Sequence, residues 1–384
     1  MKRLFILLIF FIVCKQILAQ DKAVFLNSES VWVDSLISLM SQEEKIAQLI
    51  MVAAYSNKGD KHKEEITKLI VDYKIGGLMF LQGSPYKQAK LTNFFQSKSK
   101  IPLVVAIDAE WGVSMRLDSS LRFPWQMTLG AIEDNNLIYE MGVEIAKQCK
   151  LLGIHINFAP VVDVNSNPDN PIINNRSFGE NPLAVSKKSI AYMKGMQDNN
   201  ILACAKHFPG HGDTDTDSHI TLPVLNHSLD RLHEIDLVPF KKLINNGLGS
   251  VMVAHLNIPI LDSTKNISSS LSKNVVTELL KNELNFKGLA ITDALNMKGV
   301  SNYYKPGDVD VKALLAGNDI LLFSEDVPKA IDEIKKAIIS NKISEKEIDE
   351  RCRKVLLAKK WLNLDKYRPV DLNEVKQNKI TLSS

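Results

Sequence analysis

The densest group of chemically useful side chains lies in residues 206–219, which read KHFPGHGDTDTDSH. A carboxylate beside an imidazole fixes the tautomer of the ring and raises its basicity, which suits a histidine for proton transfer near neutral pH. Asp217 and His219 stand in this relation, two residues apart. We therefore predict that Asp217 and His219 form an acid/base dyad.

Two metal sites are alternatives to the dyad in the same segment. A calcium loop fails because its sixth position is Ser218 instead of glycine and its twelfth is Val224 instead of glutamate. A zinc site stays open as an alternative, although its histidines match no compact ligand spacing. The ligands would be Asp213, Asp215 and Asp217 for calcium, and His207, His211 and His219 for zinc. We expect no metal and no cofactor, with a metal-dependent hydrolase as the competing hypothesis.

A partner for the dyad follows the apolar run at residues 288–292. Asp293 stands directly after that run, where a carboxylate could attack a reacting carbon. An acid/base together with a carboxylate nucleophile is the minimum for retaining glycoside hydrolysis. In this chain an imidazole would replace the usual second carboxylic acid.

Short apolar runs alternate with helical patterns along the chain. Each run is apolar on successive residues, as parallel strands covered on both faces are. A single helix is predicted over residues 33–50, and S-x-x-E capping boxes begin at Ser41 and Ser344. The pattern predicts one (β/α)8 TIM-type barrel; the rival doubly wound sheet lacks G-x-G-x-x-G after its first strand. The runs are residues 49–53, 75–81, 102–107, 153–162, 201–207, 250–255, 288–292 and 319–323.

Polar residues stand at the ends of five of these runs. In a barrel of this kind, catalytic groups lie at the C-terminal ends of the strands. One such residue alone would be read as a satisfied structural group, but five strands that direct polar groups at one rim indicate an active site. The residues are Asp108 and Glu110, Asn157 and Asp163, Lys206 and His207, His255, and Asp293.

The slight positive charge of the chain comes from its first twenty residues. The chain has 47 Lys+Arg and 44 Asp+Glu, and residues 1–20 hold three basic and no acidic residues, which leaves 44 of each sign. A basic nucleic-acid-binding surface is therefore not expected. A positive start, an apolar run at residues 4–13 and Ala19 predict a signal peptide and an exported, periplasmic or secreted protein. A retained membrane anchor and a lipoprotein attached through Cys14 are the alternatives, although Val13 is large for lipoprotein processing.

The rest of the chain is predicted to be one hydrolase domain over residues 21–365, with a short polar tail over residues 366–384. Three cysteines remain after the signal peptide, and their odd number and wide spacing predict neither a disulfide framework nor a metal site. They are Cys149, Cys204 and Cys352. We expect a monomer without a membrane span after processing.

The motif KHFPGHG at residues 206–212, followed by Asp217-Ser218-His219, resembles the hallmark of glycoside hydrolase family 3 β-N-acetylglucosaminidases of the NagZ-like branch. Further segments agree with the resemblance, which extends from about residue 36 to residue 364. They are MSQEEKIAQL at 40–49, NFAPVVDVN at 157–165, RSFG at 176–179, MVAH at 252–255 and ITDALNM at 291–297.

The resemblance implies an exo-acting retaining enzyme that releases terminal β-linked N-acetylglucosamine from peptidoglycan fragments or chitooligosaccharides. On that pattern Asp293 is the nucleophile, His219 protonates the leaving oxygen, and Asp217 orients His219. Sugar-binding positions of the family match Asp108, Arg116, Arg176, Lys206 and His207. For Arg116 and Arg176, ordinary surface or helix-pairing roles are the alternative.

The chain departs from the pattern after the third strand, where bacterial recycling enzymes typically read Asp-His-Glu-Gly-Gly and this chain reads DAEWG at residues 108–112. Trp111 either stacks on a sugar or packs under its loop. This departure leaves the leaving-group specificity open, and phosphorolysis is open beside hydrolysis. A β-glucosidase or xylosidase of the same family is the second hypothesis, although these usually carry a second domain. A non-catalytic wall-sugar-binding barrel is the third.

Overall fold

The computed structural model of the protein describes residues 23–26, 30–215 and 222–377. In these residues eight strands pair in parallel, and each of them overlaps one of the predicted apolar runs. The strands are β1 Ile50–Ala54, β2 Gly77–Phe80, β3 Val104–Ile107, β4 Ile156–Asn157, β5 Leu202–Phe208, β6 Ser250–Val253, β7 Leu289–Thr292 and β8 Leu321–Leu322. Their order in the sheet is β7-β6-β5-β4-β3-β2-β1-β8.

The two ends of this sheet, β7 and β8, are joined by backbone hydrogen bonds. The N–H groups of Asp319 and Ile320 donate to the carbonyl of Ala290 at 2.7 and 3.1 Å. The N–H of Thr292 donates to the carbonyl of Ile320 at 3.1 Å. The sheet therefore closes on itself, and the predicted (β/α)8 barrel is confirmed.

Helices alternate with the strands and surround the barrel. Up to β5 they are α1 Val31–Leu39, α2 Gln42–Ala47, α3 Asp60–Lys68, α4 Pro85–Lys98, α5 Gln126–Gly130, α6 Asn135–Leu151 and α7 Pro182–Gln197. After β5 they are α8 Leu229–Arg231, α9 Leu237–Ile244, α10 Lys298–Ser301, α11 Asp308–Ala316, α12 Val327–Ile339, α13 Glu345–Trp361 and α14 Leu372–Gln377. Wider helical turns cover Leu69–Tyr73, Leu232–Asp236 and Asn274–Glu283. None of the described helices is long and apolar enough to cross a bilayer.

The prediction of one helix over residues 33–50 is wrong. Met40 is extended, and a new helix, α2, begins after Ser41. The Ser41 hydroxyl accepts the N–H of Glu44 at 3.2 Å, and the Glu44 carboxylate accepts the N–H of Ser41 at 2.9 Å. This capping box satisfies two free donors at a helix start, so the chain ends one helix and begins another there. The predicted box at Ser344 begins α13 in the same way.

Both faces of the barrel strands are buried, as their continuous apolar sequences predicted. The residues of β2, β3, β6 and β7 are all buried, and so are all seven residues of β5. The three cysteines are buried and unpaired, and burial raises the pKa of each thiol to about 12. They are therefore inert thiols.

The segment predicted as a polar tail contains helix α14, which packs against α4. The Asn93 side chain accepts the N–H of Val370 and donates to its carbonyl, both at 2.8 Å. Val375 of α14 is buried. These contacts fix residues 370–377 on the outside of the barrel.

Lys359 of α13 is fully buried, and its ammonium donates to Gln48 Oε1 at 2.6 Å. Burial lowers the pKa of Lys359 from 10.5 to about 7. Between these values the unfolded chain holds this proton more tightly, so the free energy of unfolding should rise with pH from about 7 to about 10.5. We expect Lys359→Met to stabilise the protein at pH 6 by about 1–3 kcal/mol, because the buried charge is removed.

Urea unfolding at several pH values checks this expectation, with Lys346→Met as the control. Lys346 lies on the same helix but is 84% exposed and pairs loosely with Glu350. Its substitution should change the free energy of unfolding by less than about 0.5 kcal/mol. A destabilised Lys359→Met protein, or one that keeps the pH slope, would contradict the assignment.

Candidate active site

A cavity of about 740 Å³ opens at the carboxyl ends of the strands. Its apolar lining comes from the ends of β1, β2, β6 and β8, and includes Ala53, Tyr55, Met79, Leu81, Met252, Leu322 and Phe323. Its charged and imidazole lining comes from the ends of β3, β5 and β7 and the loop after β4. This second group comprises Asp108, Arg116, Arg176, Lys206, His207, His211 and Asp293. Six of the eight residues predicted for the site thus line one cavity. The other two, Asp217 and His219, lie outside the described residues.

Asp293 directly follows β7, and the N–H of Ala294 donates to its Oδ1 at 2.8 Å. Burial raises the pKa of this carboxyl, but the electrostatic interactions with His255 and His207 and the hydrogen bond from the Ala294 N–H outweigh burial. The pKa of Asp293 therefore lies below its ordinary value. A carboxyl in this condition is ionised at neutral pH, as a nucleophile must be.

His255, at the end of β6, holds the chain just after Asp293. Its Nε2 lies 2.9 Å from the carbonyl of Ala294, and its Nδ1 lies 2.8 Å from Ser270 Oγ. Because a carbonyl can only accept, Nε2 carries a proton. The imidazole of His255 therefore positions the loop that carries Asp293 through a hydrogen bond to Ala294.

Four charged side chains at the cavity alternate in sign, and we call them the charge ladder: Asp108, Lys206, Glu110 and Arg176. All but Glu110, which is fully buried, line the cavity. The Lys206 ammonium contacts Asp108 Oδ1 at 2.8 Å and Glu110 Oε1 at 2.7 Å. Arg176 binds Glu110 through two parallel hydrogen bonds of 2.8 and 2.9 Å. Arg116 donates to the other oxygen of Asp108. Each buried charge therefore has a partner of opposite sign.

The ladder keeps both of its carboxyl groups ionised. Burial raises the pKa of Glu110, but the charges of Arg176 and Lys206 outweigh it and lower the pKa from 4.5 to about 2. Burial opposes ionisation of Asp108 too, and the charges of Lys206 and Arg116 bring its pKa well below the ordinary range. Ionised carboxylates accept hydroxyl protons, and the ammonium and guanidinium groups donate to oxygen, so the ladder suits a polyhydroxylated ligand.

Asp163 is a buried carboxylate that fixes the end of β5. Its Oδ2 lies 2.7 Å from His207 Nδ1, and its Oδ1 accepts the N–H of His211 at 2.7 Å. Because the carboxylate is ionised and only accepts, the proton of His207 lies on Nδ1. The pKa of Asp163 is lowered, since His207 and His211 outweigh the effect of burial. The Nε2 of His207 lies 3.3 Å from Arg176 Nη2, which joins His207 to the charge ladder.

Four polar residues that support the site were not assigned a role from the sequence. Glu110, Asn157 and Asp163 were placed at the rim by the strand pattern, and the signal for Glu110 was its spacing of two from Asp108. Tyr192 gave no signal, because it lies on the buried face of α7. Its hydroxyl donates to the carbonyl of Ala109 at 2.9 Å, and Asn157 accepts the N–H of Ala109 at 2.9 Å. Together they hold the peptide between the two carboxylates of the ladder.

Trp111 meets both of its sequence interpretations in part. It lines the cavity, and its ring also packs on Trp125, with the ring centres 4.1 Å apart. The guanidinium of Arg122 lies 4.8 Å from the Trp125 ring and 5.7 Å from the Trp111 ring. We call the two indoles, whose planes are tilted by 57°, the tryptophan pair.

Within the described residues no group of three or more His, Cys, Asp or Glu side chains is arranged to hold a metal ion. His207 and His211 meet edge to face, with their ring centres 5.9 Å apart. Burial, together with the electrostatic effect of the neighbouring His207, lowers the pKa of His211 to about 4. Asp213, one of the calcium-loop candidates, pairs with Arg231 at 2.6 Å. The third histidine of the zinc hypothesis, His219, lies outside the described residues.

The sequence matches the glycosyl hydrolase family 3 N-terminal domain over residues 41–358. This barrel, with a carboxylate after β7 and a charge ladder at the ends of β3 and β5, belongs to a glycoside hydrolase family: the chain is a member of glycosyl hydrolase family 3.

Named relatives support the membership. The chain is 35% identical over 327 residues to "Beta-hexosaminidase A" of Pseudoalteromonas piscicida, a match that covers 77% of this chain and 55% of the relative. It is 30% identical to "Beta-hexosaminidase LpqI" of Mycobacterium tuberculosis, over 84% of each chain. A solved family 3 β-N-acetylglucosaminidase from Paenibacillus superposes with a TM-score of 0.79 at 35% identity, covering 85% of this chain and 63% of that one. The chain thus spans little more than half of the Pseudoalteromonas protein.

Proposed function

We propose that this protein is an exo-acting, retaining β-N-acetylglucosaminidase. The observation that carries the proposal is the placement of Asp293 in one cavity with three members of the charge ladder, Asp108, Lys206 and Arg176. A reactive carboxylate and a set of hydroxyl-binding groups in one cavity can hold a sugar and attack it. Asp108, Lys206, His207, Arg176 and Arg116 would bind the terminal sugar through its hydroxyl and acetamido groups.

The reaction would proceed in two displacements. In the first, a carboxylate oxygen of Asp293 bonds to the anomeric carbon, and the bond from that carbon to the leaving oxygen breaks. The leaving oxygen keeps the electron pair and takes a proton from His219, which Asp217 orients. In the second, water attacks the same carbon and gives its proton to His219, and the carboxylate of Asp293 departs. Two inversions restore the β configuration.

The sugar specificity rests on the relatives. The Pseudoalteromonas and Mycobacterium tuberculosis proteins are named β-hexosaminidases, and the Paenibacillus structure is described as a β-N-acetylglucosaminidase. We propose the same terminal sugar here, in peptidoglycan fragments or chitooligosaccharides. We also propose that the enzyme acts as a monomer outside the inner membrane, directed there by residues 1–20, which lie outside the described residues.

Turnover of two aryl glycosides tests the specificity. We expect kcat/KM on 4-nitrophenyl N-acetyl-β-glucosaminide to exceed that on 4-nitrophenyl β-glucoside by at least about 100-fold, because a site that binds an amide loses those hydrogen bonds when the amide is absent. Equal turnover of the two substrates would favour the β-glucosidase hypothesis. Binding of N-acetylglucosamine without turnover of either glycoside would favour the non-catalytic barrel.

A further inference from the structure

The tryptophan pair lies across the barrel mouth from Asp293. Trp111 follows β3, whereas Asp293 follows β7. In the closed order of eight strands β3 and β7 are four strands apart by either route, so they stand on opposite sides of the barrel. Because both residues line the same cavity, a ligand in contact with both must extend across the mouth.

The proposed function sets the direction of the sugar in this space. Its anomeric carbon, C1, has to lie at Asp293, and C4 is at the opposite end of a pyranose ring. The C4 end therefore points towards β3, where Asp108 and its two cationic partners can bind the hydroxyl groups at that end. Trp111 follows Asp108 by three residues on the same loop and lines the same cavity.

We propose that Trp111 and Trp125 form the end wall of the cavity and thereby restrict the enzyme to the non-reducing ends of chains. A glycan that continues through O4 of the bound sugar would have to place its next ring where the two indoles lie. This inference rests on the proposed function, because Asp293 defines the position of C1. The tryptophans thus determine specificity by excluding internal residues of a chain.

The wall is held in place by its surroundings. Arg122 lies over both rings, and a cation against two aromatic faces restricts their rotation. The N–H of Phe123 donates to the carbonyl of Trp111 at 3.1 Å. Gly112 has a φ of +87°, and a side chain there would meet Phe123 and Gln148 at 3.1 Å. The loop that carries Trp111 is therefore closely packed at Gly112.

The products formed from 4-nitrophenyl β-chitobioside test the wall. The wild-type enzyme should first release N-acetylglucosamine and 4-nitrophenyl N-acetyl-β-glucosaminide, because only the terminal sugar fits. Trp111→Ala should let the substrate move by one sugar, so that chitobiose and 4-nitrophenol form directly. We expect the initial rate of chitobiose release, followed by chromatography and mass spectrometry, to rise at least about tenfold over the wild type. Damage to the fold alone would not create this product.

Phe323→Ala is the matched control. Phe323 is also an aromatic cavity residue, but it follows β8, the strand next to β7, and so lies on the side of Asp293. Its removal enlarges the cavity at the other end and should yield no chitobiose. Chitobiose from Phe323→Ala at the rate of Trp111→Ala would mean that cavity volume, and not the wall, sets the product.

Trp125→Ala is the second variant. If Trp111→Ala does not fold, chitobiose release by Trp125→Ala tests the end wall instead. Either folded variant could hydrolyse 4-nitrophenyl N-acetyl-β-glucosaminide and still release only N-acetylglucosamine from the chitobioside. That result would contradict the proposed role of the two tryptophans. A wild-type protein that hydrolyses neither compound contradicts the proposed function instead, so the two failures are distinguishable.

Discussion

Asp293→Ala is expected to lower kcat on 4-nitrophenyl N-acetyl-β-glucosaminide by at least about 10⁴-fold. The substitution removes the atom that would bond to the anomeric carbon, and the neighbouring ionised groups are engaged with each other in the charge ladder. The fold should survive, because Asp293 accepts only the N–H of the next residue among its described hydrogen bonds. Stopped assays with quantified protein and circular dichroism measure both expectations.

Rescue of activity by azide distinguishes a catalytic nucleophile from a carboxylate that only stabilises the fold. A small anion can enter the space that the side chain leaves and attack the sugar from the same face. Turnover of Asp293→Ala should therefore recover in part with azide, and the product should be the α-glycosyl azide. The control is Asp349→Ala, which removes a partly exposed carboxylate paired with Lys45 on the barrel exterior and should leave kcat unchanged. Full activity of Asp293→Ala without azide would remove Asp293 from this role.

Glu110→Gln is expected to lower the free energy of unfolding by about 3–5 kcal/mol. Glu110 is fully buried and neutralises two cations, Arg176 and Lys206, at 2.7–2.9 Å. The neutral amide would leave Arg176 without a counter-ion in contact, at a position that is mostly buried. Turnover should fall as well, because Arg176 and Lys206 would no longer be held in place for the sugar.

The contribution of Glu110 to the free energy of unfolding should depend on pH. The pKa of Glu110 is about 2 in the folded protein, against an ordinary value of 4.5. A lowered carboxyl pKa stabilises the folded state above pH 4.5, and this contribution is lost as the pH falls towards 2. Urea unfolding between about pH 3 and pH 7 should therefore show a shallower slope for Glu110→Gln than for the wild type.

Glu144→Gln is the control for Glu110→Gln. Glu144 makes a contact of similar length, 2.9 Å, with Lys147, but both side chains are about half exposed or more. Its substitution should cost less than about 1 kcal/mol, because water solvates the remaining charge. Equal effects of the two substitutions would show that the buried ladder does not stabilise the fold.

The barrel could be predicted because buried parallel strands have continuous apolar sequences, and each of the eight runs overlaps a strand. The lengths of the individual strands were less predictable. The run at residues 153–162 contains only the two strand residues Ile156–Asn157. Single backbone hydrogen bonds continue the pairing beyond them, from the N–H of Phe158 to Ile107 and from the N–H of Val162 to Lys206, and Pro160, which has no N–H, interrupts this series. The break at Met40 was missed although the capping box at Ser41 had been found, because the apolar pattern continues across it.

The site could be predicted as a set of residues but not as a set of contacts. Strand ends placed Asp108, Lys206 and Asp293 at one rim. The pairing of Glu110 with Arg176 joins residues 66 positions apart, and that of Asp163 with His207 joins residues 44 apart. Such pairs depend on loop geometry, which local sequence patterns do not encode.

In the proposed mechanism, Asp293 bonds to the anomeric carbon of N-acetylglucosamine. The most direct measurement is the mass of the peptide that contains Asp293 after reaction with a 5-fluoro N-acetyl-β-glucosaminyl fluoride. The ring fluorine slows both displacements, and the good leaving group keeps the first one faster, so the covalent intermediate should accumulate. We predict a mass increase of one fluorinated sugar, located on Asp293. An enzyme that hydrolyses N-acetyl-β-glucosaminides but carries the label on another residue, or carries none, would contradict the account.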